Sequence, residues 1–136
     1  MKWRLLTPLA GTTFNTNNGV FSWRPAIAQS PTTNLLSVSI TDNGLPLMSA
    51  TQNFTVIVQQ PQQPLLGPPS LTNGAMQFSI TGDAGPDYLL QTASNLLAPA
   101  DWQTLFSTNS PTPPFDWSGT LDLNEPSRFF RVKLAP

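Results

Sequence analysis

Carboxylates are the main groups available for acid–base or metal chemistry in this chain of 136 residues, because the sequence contains neither His nor Cys. The absence of these two residue types excludes Ser-His-Asp and Cys-His triads, His- and Cys-based zinc sites, haem, iron–sulfur clusters and disulfides. Six of the seven acids follow residue 82. Four of them form two closely spaced pairs: Asp83 with Asp87, and Asp122 with Glu125.

These two pairs allow two interpretations. Turns at one end of a β-structure converge in many folds, and four carboxylates together would suit Ca²⁺, which prefers oxygen ligands. A calcium-held water would then be the most available route to hydrolysis of an ester or lactone without His. The alternative is that all four are solvated acids in loops, since no spacing matches an EF-hand or a repeated calcium motif.

Aromatic residues suggest a second kind of chemistry, the stacking of sugar rings. Among the four tryptophans, Trp117 is the best candidate for an exposed platform, together with Phe115 in the segment PPFDW. We expect Trp23 and Trp102 to pack in the core and not to stack against a ligand. The sequence therefore predicts Trp117 and Phe115 as ligand-binding residues, with core packing as the alternative for any of the rings.

Charge and hydropathy argue against two classes of partner, nucleic acid and membranes. The chain has six Lys and Arg and seven Asp and Glu, so there is no basic field to attract nucleic acid. No apolar run approaches the ~18 to 20 residues needed to span a membrane. The opening MKWRLL ends at Thr7-Pro8, short of the ~7 to 15 apolar residues of a signal peptide core, so we predict no signal peptide in this chain.

The elements that would position these residues are short strands. Apolar and small polar residues alternate in several segments, which is typical of half-buried strands. The segments are residues 19–23, 35–41, 53–58, 75–80, 88–93, 102–106, 115–117 and 128–134. A convincing helical period of eleven or more residues is missing, so the sequence predicts an all-β protein with antiparallel strands.

A Pro-rich segment divides this pattern in two. Residues 59–69 (QQPQQPLLGPP) contain four prolines, which cannot donate ladder hydrogen bonds. We therefore predict an extended linker at 59–69 between a first module at 1–58 and a second module at 70–136.

The first module contains the segments GTTF at 11–14, GVFSWRP at 19–25, LSVSITDNGLP at 36–46 and FTVIV at 54–58. In the order and spacing of these segments it resembles the cadherin-like or putative-Ig modules of bacterial surface proteins. The resemblance covers roughly residues 5–58 and implies an immunoglobulin-like β-sandwich. Such modules supply two or three further strands before the segment that matches Gly11, so the resemblance implies an N-terminally incomplete module.

The same resemblance draws attention to Asp42 and Asn43 at the TDNG turn. In cadherin repeats the matching Asp binds Ca²⁺, so the resemblance implies a calcium site at Asp42 and Asn43. The alternative is a turn in which Asp42 accepts hydrogen bonds from the following backbone amides. The segment after the first module favours the turn, because it has only Gln and Pro where cadherins complete the site with Asp and Asn.

The second module contains the segments GDAGPDY at 82–88, ASNL at 93–96, DW at 101–102 and RFFRV at 128–132. In these segments it is similar to small C-terminal β-modules of secreted proteins from environmental bacteria. This resemblance implies a second sandwich of the same kind and the tail of a longer exported protein. A module that lacks strands leaves a sheet edge open, so we expect a homodimer through an exposed edge.

Together these observations predict a non-catalytic accessory or adhesion-type binding module from an exported bacterial protein, extracellular or at the cell surface. The expected partner is a polysaccharide or another protein, and the cofactor is either none or Ca²⁺. The alternative is a small calcium-dependent hydrolase of esters or lactones, with Asp83, Asp87, Asp122 and Glu125 as its catalytic carboxylates. Whether the protein is an enzyme is left open by the sequence.

Overall fold

The structure is a computed structural model that describes residues 1–97, 99–120 and 127–135. Apart from a single 3₁₀ turn at Ile27–Gln29, every regular element in these residues is a β-strand, and all pairing is antiparallel. The predicted all-β class is therefore confirmed. None of the helical segments in the described part of the chain has the length and hydropathy to cross a membrane. The chain divides into two compact units, Met1–Gln60 and Pro61–Pro136.

Unit 1, Met1–Gln60, contains a three-stranded sheet and a two-stranded ribbon. Its strands are β1 (Lys2–Leu5), β2 (Thr12–Phe14), β3 (Phe21–Trp23), β4 (Thr32–Thr41) and β5 (Ser49–Val58). The sheet has the order β1-β4-β5, while β2 pairs with β3. Strands β4 and β5 form a hairpin that pairs ten residues without a register shift, from Thr32 opposite Val58 to Thr41 opposite Ser49.

Alternation along this hairpin separates an apolar face from a polar one. Leu36 is completely buried and lies opposite Phe54 of β5. The Phe21 ring of β3 meets the Phe54 ring edge-on at 5.9 Å between centroids. The ribbon of β2 and β3 therefore covers the apolar face of the sheet, and Leu36 is the centre of this small core.

Unit 2, Pro61–Pro136, contains two sheets. Its strands are β6 (Leu65–Leu66), β7 (Ser70–Thr72), β8 (Ala75–Thr81), β9 (Tyr88–Ala93), β10 (Gln103–Ser107), β11 (Phe115–Thr120) and β12 (Phe129–Leu134). One sheet has the order β11-β8-β6, with β7 also paired to β8, and the other has the order β10-β9-β12.

Aromatic contacts hold the two sheets of unit 2 face to face. Phe78 of β8 lies 4.9 Å from Phe130 of β12, and Tyr88 of β9 lies 5.8 Å from Phe115 of β11, both measured between ring centroids. Phe78, Tyr88 and Leu90 are at most 4 % exposed. Burial of such rings removes a large apolar area from water, which makes this interface the main core of the described chain.

Part of the segment predicted as linker belongs to the sheet of unit 2. Leu65 and Leu66 form β6 opposite Thr81 and Ile80, and the Gly67 amide donates to the Ser79 carbonyl at 2.7 Å. The prolines at positions 61, 64, 68 and 69 flank these residues instead of interrupting them. Because Leu65, Leu66 and Gly67 keep their N–H groups, a short edge strand forms between the prolines.

Candidate functional site

Asp42 holds the turn between β4 and β5. Its Oδ1 accepts hydrogen bonds from the backbone amides of Met48 at 2.9 Å and Gly44 at 3.1 Å. The Met48 amide, and then the Gly44 amide, hold the pKa of the Asp42 carboxyl below its usual range. This geometry is the turn that the sequence offered as the alternative to calcium binding at Asp42 and Asn43.

Asp83 and Asp87 also accept hydrogen bonds from backbone amides, each from a different segment. Asp83 Oδ2 accepts from the Gln62 amide at 2.7 Å, and Asp87 Oδ1 accepts from the Ser110 amide at 2.6 Å. Each carboxylate therefore joins its own loop to a separate part of unit 2, a structural role that the sequence did not assign to them.

A cage of acidic ligands is not seen in the described part of unit 2 or of unit 1. No group of three or more His, Cys, Asp or Glu side chains comes together within residues 1–97, 99–120 and 127–135. Asp122 and Glu125, the other two predicted carboxylates, lie outside the described residues. A calcium-dependent hydrolase that uses Asp83, Asp87, Asp122 and Glu125 therefore stays a prediction.

Phe115 and Trp117 point towards the inside of unit 2, which differs from the exposed platform that the sequence predicted. Trp117 lies opposite Phe78 in the register of β11 and β8, and the two rings stack at 6.0 Å with an angle of 24°. Phe115 is on the same face and contacts Tyr88 of the other sheet. Both rings are half-buried. The physical reason is alternation: Asp116 and Ser118 take the outward positions of β11, so the rings turn inward.

The two tryptophans of unit 1 also have structural partners. Trp23, expected in the core, is half-buried and its Nε1 donates to the Ala10 carbonyl at 3.0 Å. The Trp3 ring lies so close to Gly19 that a Cβ there would come within 2.8 Å of it. Gly19 has a φ of +75°, a conformation that favours glycine, so the ring and the turn fit only with this residue.

Four side chains form a connected cluster on the outer face of the sheet β10-β9-β12. We call it the Arg131 cluster; its members are Gln91, Trp102, Thr104 and Arg131. Arg131 donates from Nε and Nη2 to Gln91 Oε1 at 2.9 and 2.7 Å. Gln91 Nε2 donates to Thr104 Oγ1 at 3.1 Å. The Arg131 guanidinium carbon lies 4.1 Å from the centroid of the Trp102 ring.

The burial of Gln91 explains why the cluster is well defined. This residue is only 7 % exposed, so its amide needs partners within the protein. Arg131 supplies two donors to the oxygen and Thr104 accepts from the nitrogen, so both ends of the amide are satisfied. Arg131 itself is exposed. The bonds to Gln91 use Nε and Nη2 of the guanidinium and do not use the two N–H groups of Nη1.

The surroundings of the Arg131 cluster are cationic and partly apolar. Phe129, Arg131 and Lys133 alternate along β12, so their side chains share the outer face while Phe130 points to the core. Phe129 is 37 % exposed, and Lys133 is exposed. The arrangement presents a fixed guanidinium, a second cation and two aromatic rings on one sheet face.

The amino-acid sequence indicates part of this surface but not its centre. Residues 128–134 were predicted as an alternating strand, and alternation places Phe129, Arg131 and Lys133 on one face, as the structure has them. Trp102 was expected in the core, yet it is half-buried against the Arg131 guanidinium. The contact between Gln91 and Arg131 joins residues 40 positions apart, so no local pattern could indicate it.

Comparisons with known proteins give no family or relative for this chain. The sequence matches no model of a protein family and no curated protein, and the fold matches no solved structure. The function must therefore be inferred from the geometry of the molecule itself.

Proposed function

We propose that the protein is a non-catalytic, carbohydrate-binding accessory module that binds its ligand on the outer face of β10-β9-β12, at the Arg131 cluster. The observation that carries this proposal is the Arg131 guanidinium, fixed above Trp102 by two hydrogen bonds to the buried Gln91. A cation and a ring that are already held in place lose little conformational freedom when a ligand binds.

The chemistry of this face suits an acidic sugar. Arg131 presents a planar fork that can pair with a carboxylate or sulfate group through two parallel hydrogen bonds. Lys133 adds a second positive charge on the same face. The exposed part of Phe129 offers an apolar surface for the carbon face of a sugar ring. We therefore infer a polysaccharide with uronate or sulfate groups as the ligand class.

The wider setting is part of the same proposal. We infer that both units belong to the immunoglobulin-like class and that the protein acts outside the cell or at its surface. The antiparallel sheets of short strands and the stacking of two sheets in unit 2 support the first inference. The low content of charged residues, 10 % of the chain, supports the second.

Binding to immobilised acidic and neutral polysaccharides tests this function. Trp102→Ala and Arg131→Lys should each weaken binding to an acidic polysaccharide about tenfold or more, because the ring or the planar fork is lost while the sheet remains. Ser118→Ala, on the outward side of β11 in the other sheet, is the matched control and should bind as the unaltered protein does. Each variant is compared by its melting temperature, so that loss of binding is separated from loss of folding.

Two results would contradict the proposal. One is equal binding by the Trp102, Arg131 and Ser118 variants, which would remove the Arg131 cluster as the site. The other is the absence of polysaccharide binding together with hydrolysis of an ester or lactone that EDTA abolishes and Ca²⁺ restores. That second result would favour the calcium-dependent hydrolase.

A further inference from the structure

Strand β5 forms an open edge of the sheet in unit 1. In the order β1-β4-β5 it stands at the end, and within the described residues its pairing partner is β4 alone. Residues 49–53 are all exposed, as are Thr55 and Ile57. One side of a ten-residue strand therefore presents its backbone to the solvent.

The hydrogen bonds next to the turn show which residues present that backbone. The Asp42 amide donates to the Met48 carbonyl at 3.0 Å, so positions 42 and 48 form a hydrogen-bonded pair. Bonded and non-bonded pairs alternate along an antiparallel ladder, so the even-numbered residues of β5 bond to β4. The outward N–H and C=O groups then belong to the odd-numbered residues Ser49, Thr51, Asn53, Thr55 and Ile57.

A second observation supports this assignment. The Leu6 amide donates to the Ser37 carbonyl at 2.8 Å, so Ser37 bonds towards β1 and its even-numbered neighbours bond towards β5. On β5, the Asn53 carbonyl accepts from the Gln52 side-chain amide at 3.1 Å. Both contacts agree with an outward Asn53 backbone.

The opposite edge of the same sheet is protected, and β5 is not. Strand β1 carries Lys2 and Arg4, and the outward Trp3 amide donates to the Thr16 carbonyl at 3.0 Å. Strand β5, with the sequence SATQNFTVIV, contains no charged residue, no Pro and no Gly. Charges, prolines and bulges are the usual devices that prevent an edge from pairing, and the register of β4 with β5 has no bulge.

We propose that β5 pairs antiparallel with β5 of a second copy of this chain, around a twofold axis at Asn53. In this register Asn53 lies opposite Asn53 of the second copy, and Thr51 lies opposite Thr55. Every outward N–H of one copy then meets an outward carbonyl of the other, over the full length from residue 49 to residue 57. For this pairing to form, the exposed Gln52 side chain must give up its hydrogen bond to the Asn53 carbonyl.

A second copy fits this edge better than a charged strand from another protein does. The paired side chains are all uncharged, so a copy brings no like charges together. A twofold axis also makes both surfaces identical, as in most dimers of soluble proteins. The result is a continuous six-stranded sheet that joins two copies of β1-β4-β5, and it does not depend on the proposed carbohydrate site.

Charge changes at Asn53 test both the interface and its register. Asn53→Lys and Asn53→Glu each place two like charges opposite each other in the dimer, so each variant alone should be monomeric. An equal mixture of the two places Lys opposite Glu and should form dimers again. The measurement is analytical ultracentrifugation over a wide dilution series. Asn43→Lys, the same type of change in the exposed turn, is the matched control and should remain dimeric.

Amide hydrogen exchange gives a second readout with a distinctive pattern. At concentrations that favour the dimer, the amides of Thr51, Asn53 and Thr55 should be protected, and dilution should remove this protection. The amides of Gln52 and Phe54 bond to β4 and should stay protected throughout. A protein that is monomeric at every concentration would overturn the proposal, as would a mixture of the Lys and Glu variants that stays monomeric.

Discussion

Tyr88 is the only tyrosine of the chain and joins the core of unit 2 to a loop. It is 1 % exposed, and its hydroxyl donates to the Asp83 carbonyl. Burial raises the pKa of the Tyr88 phenol, with the charge of Asp83 as a further cause. The neutral phenol is therefore the form that the folded protein requires.

This requirement predicts a loss of stability at alkaline pH. Above about pH 10 the unfolded chain releases the phenol proton before the folded chain does, so the free energy of unfolding falls as pH rises. Tyr88→Phe should lower stability by about 1 kcal/mol near neutral pH. It should also reduce the alkaline loss, because the ionisable group is gone. Urea unfolding at several pH values measures both effects, and an equal alkaline loss in the two proteins would refute this role.

Asp42 predicts a pH dependence of opposite sign. Because the Met48 and Gly44 amides lower its pKa, the carboxylate contributes stability that is present above about pH 3.9 and is lost as pH falls through the lower pKa of the folded state. Asp42→Asn should therefore be less stable than the unaltered protein at neutral pH, and the difference should shrink in acid. The measurement is thermal unfolding at neutral and at acidic pH, in each case once with Ca²⁺ and once with EDTA. A calcium-dependent rise in melting temperature that Asp42→Asn abolishes would instead establish a metal site.

At the scale of elements, β12 has one face in the core and one face in the proposed ligand site. Phe130 contacts Phe78 of the facing sheet, whereas Phe129 and Arg131 lie on the outer face. The two faces follow directly from the period of two along a strand. One face stabilises unit 2, and the other carries the proposed ligand surface.

Neighbouring alanine substitutions in β12 test the two faces separately. Phe130→Ala removes a ring from the contact between the sheets and should cost about 3 kcal/mol of unfolding free energy. Phe129→Ala should cost less than about 1 kcal/mol, because that ring is partly exposed already. The Phe129 variant should bind the acidic polysaccharide more weakly. Equal losses of stability in urea would show that the two faces are not distinct.

At the scale of the whole molecule, the two units differ in their cores. Among the described residues, the buried apolar side chain of unit 1 is Leu36, whereas unit 2 buries Phe78, Ile80, Tyr88, Leu90 and Ala93. Because stability grows with the apolar area removed from water, unit 1 should be the less stable of the two.

This asymmetry predicts two unfolding transitions, with unit 1 unfolding first. Trp3 and Trp23 report on unit 1, and Trp102 and Trp117 report on unit 2. A variant with Trp102→Phe and Trp117→Phe should show the earlier fluorescence transition in urea. A variant with Trp3→Phe and Trp23→Phe should show the later one. If β5 pairs between copies, the earlier midpoint should also rise with protein concentration. A single coincident transition in both variants would contradict the prediction.

The amino-acid sequence is sufficient to predict the all-β class, most strands and the alternating faces of β12. These features depend on local alternation, which is visible over six to ten residues, for example in residues 35–41 and 128–134. The short strands β1, β2, β6 and β7 escaped prediction because two to four residues carry too little of that pattern. The prolines around Leu65 and Leu66 dominate the local pattern, so the sequence predicts a linker at these two residues.

The folded structure determined which side chains meet. Trp117 turned inward against Phe78, Trp102 came under Arg131, and Gln91 was buried between Arg131 and Thr104. It also decided that β5 ends its sheet with odd-numbered amides outward, while β1 is protected. Each of these results depends on pairing between distant segments, and the period of a strand fixes the side of a residue but not its partner.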